Sequence, residues 1–247
     1  MSDGIVVAGV AYPVLHPTTQ HPIPVFAWND PPGSLRVPEF RAGDGYNKRR
    51  TQPIDLCVVH WTGGEAEPDR MAETLRKRKL GVEFAISRLG NVFQFCDPAY
   101  VDTADAGTVN NRSVGIEVVS YGYAGGWAFD PVRAVKVPRV PPIARDRVTY
   151  PAVTHGRKVQ TAMFYPAQIA ALCGLADALT AALPAIQREV PPLAYDGSVY
   201  GPALLRGDSR FAGFVGHYHL TTAKRDPGPL TIEALRLHFN RANALTA

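Results

Sequence analysis

Two short segments carry residue types suited to hydrolytic chemistry. In the first, the apolar run Leu56, Cys57, Val58, Val59 ends in His60, followed by Trp61, Thr62, Gly63 and Gly64. In the second, His217 and His219 precede Asp226, which opens the rigid turn Pro227, Gly228, Pro229. Two histidines and one carboxylate make three protein ligands. Three ligands leave one position open on a tetrahedral Zn²⁺, the arrangement of a hydrolytic rather than a structural site. Such an ion polarises an amide carbonyl and lowers the pKa of a water to about 7, which supplies the nucleophile that amide hydrolysis lacks at neutral pH. His60, Asp226 and one of His217 or His219 are therefore candidate ligands. In an extended stretch His217 and His219 point to the same face, so spacing leaves the choice between them open. His16, His21, His155 and His238 lack a comparable strand-and-turn setting. Cys57 and His60, three apart on a strand, face opposite ways and make poor co-ligands. Cys57, Cys96 and Cys173 show no C-x-x-C spacing and make no disulfide framework, so they read as small buried hydrophobes.

The elements that must position these residues are short. Residues 54–60 form an apolar run that predicts a buried strand. Pro68 to Lys79 suits an amphipathic helix built on Met71 and Leu75 and ending at Gly81. Val82 to Ser87 and Val92 to Phe95, joined at Gly90 and Asn91, predict a β-hairpin. In Ser113 to Val119, Val114, Ile116 and Val118 share one face and Glu117 lies on the other. Pro166 to Leu183 is strongly helical, with Pro166 in the first turn. A last helix follows Thr231 as its N-cap and runs toward Leu245. Residues 121–163, rich in Gly and Pro, read as a long irregular insertion. The order strand, hairpin, strand, helix predicts an α/β fold with a mixed central β-sheet and flanking helices. Residues 1–50 form an N-terminal extension in which Ile5 to Ala8 and Pro24 to Trp28 suit short strands. This extension either lies against the main domain, residues 51–247, or forms a small module of its own.

Composition narrows the function classes. The 247 residues are 46% hydrophobic and 19% charged, as in a globular core, and 22 Gly and 22 Pro imply much loop. A net charge of +4 is a mild bias toward anionic partners and no signature of nucleic-acid binding. Arg49 with Arg50, and the run Arg76 to Lys79, read as solvated faces. There is no apolar stretch of about 18 residues to insert in a membrane. The start carries Asp3 where a signal peptide needs positive charge, and its apolar run ends at Pro13. The sequence thus predicts synthesis in the cytoplasm without a signal peptide.

Five stretches stand in a fixed order: Val58 to Thr62; Phe84 to Gln94; Asn111 to Val118; Tyr165 to Gln168 with the helix after it; and Gly216 with His217, through Lys224 and Asp226, to Pro229. In this order they resemble the zinc-dependent N-acetylmuramoyl-L-alanine amidases, the type-2 group that shares its fold with peptidoglycan recognition proteins and phage amidase lysozymes. The resemblance covers about residues 54–240. It implies a Zn²⁺ cofactor held by His60, His217 and Asp226, with His217 preferred over His219 because the family ligand directly follows a glycine. It implies that Glu117 takes a proton from the attacking water and that Lys224 steadies the oxyanion. By residue type alone, Glu117 is an exposed strand residue and Lys224 a solvated loop cation. Trp61, Thr62, Asn111 and Arg112, within the matching motifs, become substrate-binding candidates. The insertion is expected to wall the groove, with His155, Arg157 and Lys158 meeting muropeptide carboxylates.

The implied substrate is peptidoglycan or a muropeptide, cut between N-acetylmuramic acid and the L-Ala of the stem peptide. A lytic endolysin or secretion-system cargo, reaching the cell wall or periplasm by release or through delivery machinery, is the leading expectation. A non-catalytic peptidoglycan binder and a cytosolic muropeptide-recycling amidase are the alternatives. Three departures from the pattern stand out. Val82 and Glu83 replace an aromatic and a histidine; Asp105 replaces the histidine of "W-H-A-G"; and the loop from His217 to Asp226 is one residue shorter than in many relatives.

Overall fold

The structure, a computed structural model, describes residues 3–30, 37–64, 66–120, 123–124, 127–130, 135–138, 149–155, 157–191 and 211–246. Its centre is a six-stranded mixed sheet. The strands are β1 (Val25–Ala27), β2 (Leu56–Trp61), β3 (Phe84–Ile86), β4 (Val92–Gln94), β5 (Ser113–Val118) and β6 (Gly213–Gly216). Their order across the sheet is β6-β2-β5-β3-β4-β1. The hairpin β3–β4 is antiparallel and the other four pairings are parallel. Parallel strands are buried on both faces and favour continuous apolar runs, which is why Leu56 to Val59 is apolar throughout.

Three helices cover the sheet: α1 (Pro68–Lys77), α2 (Pro166–Ala182) and α3 (Pro229–Thr246). Leu172, Leu175 and Leu179 of α2, with Ile232, Leu235 and Phe239 of α3, pack on the face that presents Cys57, Val59, Val114, Ile116 and Phe214. The opposite face meets α1 through Met71, Ala72 and Leu75, which pack with Ala85, Phe93 and Phe95. Each helix opens on a proline, whose missing N–H is no loss in a first turn. Gln168 ties α2 to the carboxyl end of β5: its Oε1 accepts from Tyr165 N at 3.1 Å and its Nε2 donates to Val119 O at 2.9 Å. The expected mixed sheet with flanking helices is thus the observed fold.

Two details differ from the sequence reading. The last helix begins at Pro229, so Thr231 is not its N-cap; the Thr231 hydroxyl lies within the first turn and donates to Pro227 O at 3.3 Å. The region 121–163 is not irregular throughout: Thr149–Thr154 and Arg157–Ala162 pair antiparallel, as do Trp127–Asp130 and Val135–Pro138. Prolines hid these strands, but Pro151 lies on the outer strand of its three-stranded sheet, the place where sheets tolerate proline.

The N-terminal segment is woven into this frame. β1 adds the strand beside β4, and Ile5, Val7, Val14 and Val25 join the main core. The buried Gln94 amide pairs with the Val6 backbone, accepting from its N–H at 2.7 Å and donating to its carbonyl at 2.6 Å. Asp97 accepts from Ala8 N and Gly9 N at 3.0 and 3.1 Å. At Gly174 of α2, a Cβ would lie 2.2 Å from Leu15 O, so only glycine lets this segment approach so closely.

Candidate metal centre

Strand register brings the candidate residues together. His60 pairs with Glu117 across β2 and β5, and Glu117 with Ala85 across β5 and β3, while Gly216 pairs with Val59. Residues level in register share a face, so His60 and Glu117 rise side by side. His217 follows directly from β6 on the row of His60. All three stand at the carboxyl ends of parallel strands, where open α/β sheets bind their ligands. They line a cavity of about 220 Å³ together with Trp61, Thr62, Arg78, Asp105, Lys224 and Asp226.

Asp226 Oδ2 lies 3.0 Å from His60 Nδ1 and 3.2 Å from His217 Nδ1. The three potential ligand atoms are within 4.8 Å of one another, and all three residues are buried. Donors about 2.0–2.1 Å from a tetrahedral Zn²⁺ stand roughly 3.3 Å apart, so the set suits the ion in type and number and its two Asp226–imidazole distances match that spacing. His219 does not belong to it. Residues 217–219 form a 3₁₀ turn, not an extended stretch, and at three residues per turn His217 and His219 diverge. His219 Nδ1 accepts from Gly216 N at 2.9 Å, and burial holds its pKa down at about 3.

The pocket concentrates buried charge. Burial pushes the Glu117 carboxyl up to about 7, with His60 and Lys224 pulling it down and Asp226 and Asp105 pushing it up. Its Oε2 is shut off from solvent and has no hydrogen-bond partner among the described residues. An unmet buried acceptor costs about 1–3 kcal/mol, and this one lines a cavity that can admit a partner. Burial works against charge on His60 as well, but the hydrogen bonds and charges of Asp105 and Asp226 outweigh it and raise its pKa to about 10. Burial holds Asp226 up, yet the two imidazoles outweigh it and keep the carboxylate far below its ordinary range. Burial lowers His217, leaving its imidazole neutral and able to ligate.

The other predicted residues divide. Trp61, Thr62 and Lys224 reach the pocket wall. The Thr62 hydroxyl is committed to the loop, 2.6 Å from Gly64 O and accepting from Ser120 N at 3.1 Å. Arg112 lies away from the metal pocket: it closes the 3₁₀ turn just ahead of β5, five residues from Glu117 and so about 16 Å away along the chain. There its guanidinium bonds Asp55 at 2.6 Å and Phe211 O at 2.8 Å. The exposed Asn111 beside it is also remote from the pocket. Neither touches the metal centre; nearness in sequence to Glu117 is undone by the length of an extended strand. His155 does not line the pocket either; it lies near His219, whose pKa it lowers. The side chains of Arg157 and Lys158 lie outside the described residues. Two pocket residues escaped the sequence reading: Arg78, taken as part of a solvated basic face, and Asp105, seen only as a departure. Cys57, Cys96 and Cys173 are free and buried, and burial holds their thiols protonated.

Residues 50–229 match the N-acetylmuramoyl-L-alanine amidase family, and the chain belongs to that family. Among solved structures it is similar to the endolysin amidase LysCS of Clostridium intestinale, at 14% identity and TM-score 0.46, over 83% of this chain and 95% of that one. It is also similar to the AmiD amidase of E. coli, solved with anhydro-N-acetylmuramic acid-L-Ala-D-γ-Glu-L-Lys, at 20% identity and TM-score 0.44, over 75% and 57%. A third likeness is to the Drosophila peptidoglycan recognition protein SD, at 14% identity and TM-score 0.42, over 83% and 89%. No curated protein matches the chain in sequence.

Proposed function

We propose that this enzyme is a zinc-dependent peptidoglycan amidase that hydrolyses the bond between N-acetylmuramic acid and the L-Ala of the stem peptide. The observation that carries the reading is a three-ligand cluster with an unsatisfied buried carboxylate oxygen in the same pocket: His60, His217 and Asp226 beside Glu117. When bound, Zn²⁺ supplies Lewis-acid polarisation of the amide carbonyl and a water of lowered pKa. Glu117 supplies what the ion does not. Its raised pKa lets it take a proton from the attacking water near neutral pH and return it to the leaving amine. Lys224, on the exposed rim, supplies positive charge for the developing oxyanion. Trp61 offers the sugar or peptide an apolar wall.

A peptidoglycan substrate supports action at the cell wall, reached by release or export, in the manner of an endolysin or an exported effector. The test is digestion of intact sacculi, with mass spectrometry of the released fragments. Free stem peptides beginning with L-Ala, lost on chelation and restored by zinc, are expected. A protein that binds zinc and cuts only small soluble muropeptides would be a recycling amidase. One that neither binds metal nor cuts would be a recognition protein.

A further inference from the structure

We infer that Asp105 is a positioning residue of the metal centre, holding His60 in the tautomer and orientation that turn Nδ1 toward the ligand cluster. The inference rests on the metal-centre reading above. His60 stands between two carboxylates: Nδ1 is 3.0 Å from Asp226 Oδ2, and Nε2 is 3.0 Å from Asp105 Oδ2. The side chains of His60 and Asp105 are only 4% and 5% exposed. A neutral imidazole has one lone pair to give. If Nδ1 gives it to a cation, the proton must sit on Nε2, and a carboxylate there fixes the ring and raises its basicity.

The surrounding backbone is built for this contact. Ala104 N donates to Asn47 Oδ1 at 3.0 Å and Ala106 N to Asn110 Oδ1 at 2.6 Å, so both neighbours of Asp105 are pinned. On β5, a Cβ at Gly115 would lie 2.2 Å from Asp105 Oδ2, so a glycine is what leaves room for the carboxylate. The nearby Glu83 is answered by Arg50 at 3.0 Å, which leaves Asp105 to His60.

The experiment measures zinc affinity of the full chain by chelator competition in wild type, Asp105→Ala, Asp105→Asn and Gly115→Ala. Loss of such a partner typically weakens binding about 10–100-fold, which is the expectation for Asp105→Ala. Asp105→Asn keeps an acceptor without the charge and should lose less. Gly115→Ala should weaken binding by pushing the Asp105 carboxylate away from His60 while changing neither a ligand nor Asp105 in the sequence. Long-range ¹H–¹⁵N imidazole spectra of the zinc-loaded protein give a second readout: a protected His60 Nε2–H in wild type that exchanges with solvent in the variants. A purely structural role would lower the melting temperature without moving either readout. Should Asp105→Ala fail to fold, Asp105→Asn and Gly115→Ala decide. Wild type that takes up no zinc overturns the metal-centre reading and this inference with it. Wild type that binds zinc while folded variants bind it equally well, with an unchanged Nε2–H, overturns the inference alone.

Discussion

Two glutamates, Glu83 just ahead of β3 and Glu117 within β5, are raised alike by burial and serve differently. Burial pushes both up to about 7. Around Glu83 every need is met: Arg50 bonds it at 3.0 Å, Thr103 Oγ1 donates at 2.6 Å and Gly115 N at 2.7 Å. Arg50 is itself clasped by carbonyls, among them Pro98 O at 2.6 Å and Ser113 O at 2.8 Å. Glu83 is a rivet between strand and loop. Glu117 faces the cavity, and its Oε2 has no hydrogen-bond partner among the described residues. A shifted pKa therefore does not separate structure from chemistry in this molecule; hydrogen-bond saturation does.

This contrast can be broken by mutation. Glu117→Gln should cost about 10²–10⁴ in kcat while leaving bound zinc unchanged by metal analysis, because only the proton carrier is lost. Full activity in that variant would remove the base role. Arg50→Ala should act oppositely, costing about 3–5 kcal/mol of stability in urea melts by stranding a buried charge, with the folded fraction still active. Lys224→Ala should lower kcat by about 10²–10³ with unchanged stability, in keeping with a rim cation that serves the oxyanion.

The smallest effect concerns pH. The Glu117 carboxyl has an ordinary value of 4.5 and is raised to about 7 by burial in the folded chain. Between those values the unfolded chain has released the proton and the folded chain keeps it, so the group costs stability as pH rises and the cost levels off above 7. Gln cannot ionise. Metal-free Glu117→Gln should therefore be more stable than wild type by about 1–3 kcal/mol at pH 8 and equal to it at pH 4, as read by thermal melts. A difference of the same size at both pH values would place the effect in packing.

Much of this was legible in the chain. His60 and Asp226 stood out because an apolar run and a Pro-Gly-Pro turn bracket residues that ligate metals, and the central strands followed from continuous Val and Ile. What the sequence hid was conformational. His217 and His219 separate only because residues 217–219 coil into a 3₁₀ turn. Arg112 drops out of the site because five extended residues span the sheet from its structural end to its reactive end. Asp105 was visible as an oddity, but its partner lies 45 residues away in sequence and meets it only once β2 and β5 are side by side. The hairpin Thr149–Ala162 was masked by prolines that an outer strand tolerates.

The parallel pairing of β1 with β4 has a consequence for how molecules of this chain treat one another. The family match begins at residue 50, so a chain begun there keeps the candidate metal ligands and α3 but loses Val25–Ala27. The flank of Val92–Gln94 would then present unpaired N–H and C=O groups, and the fully buried Gln94 amide would lose both bonds to Val6. Bare flanks of this kind recruit strands from other copies. A chain begun at residue 50 should therefore associate with itself, and should show that defect in light scattering before it shows one in turnover.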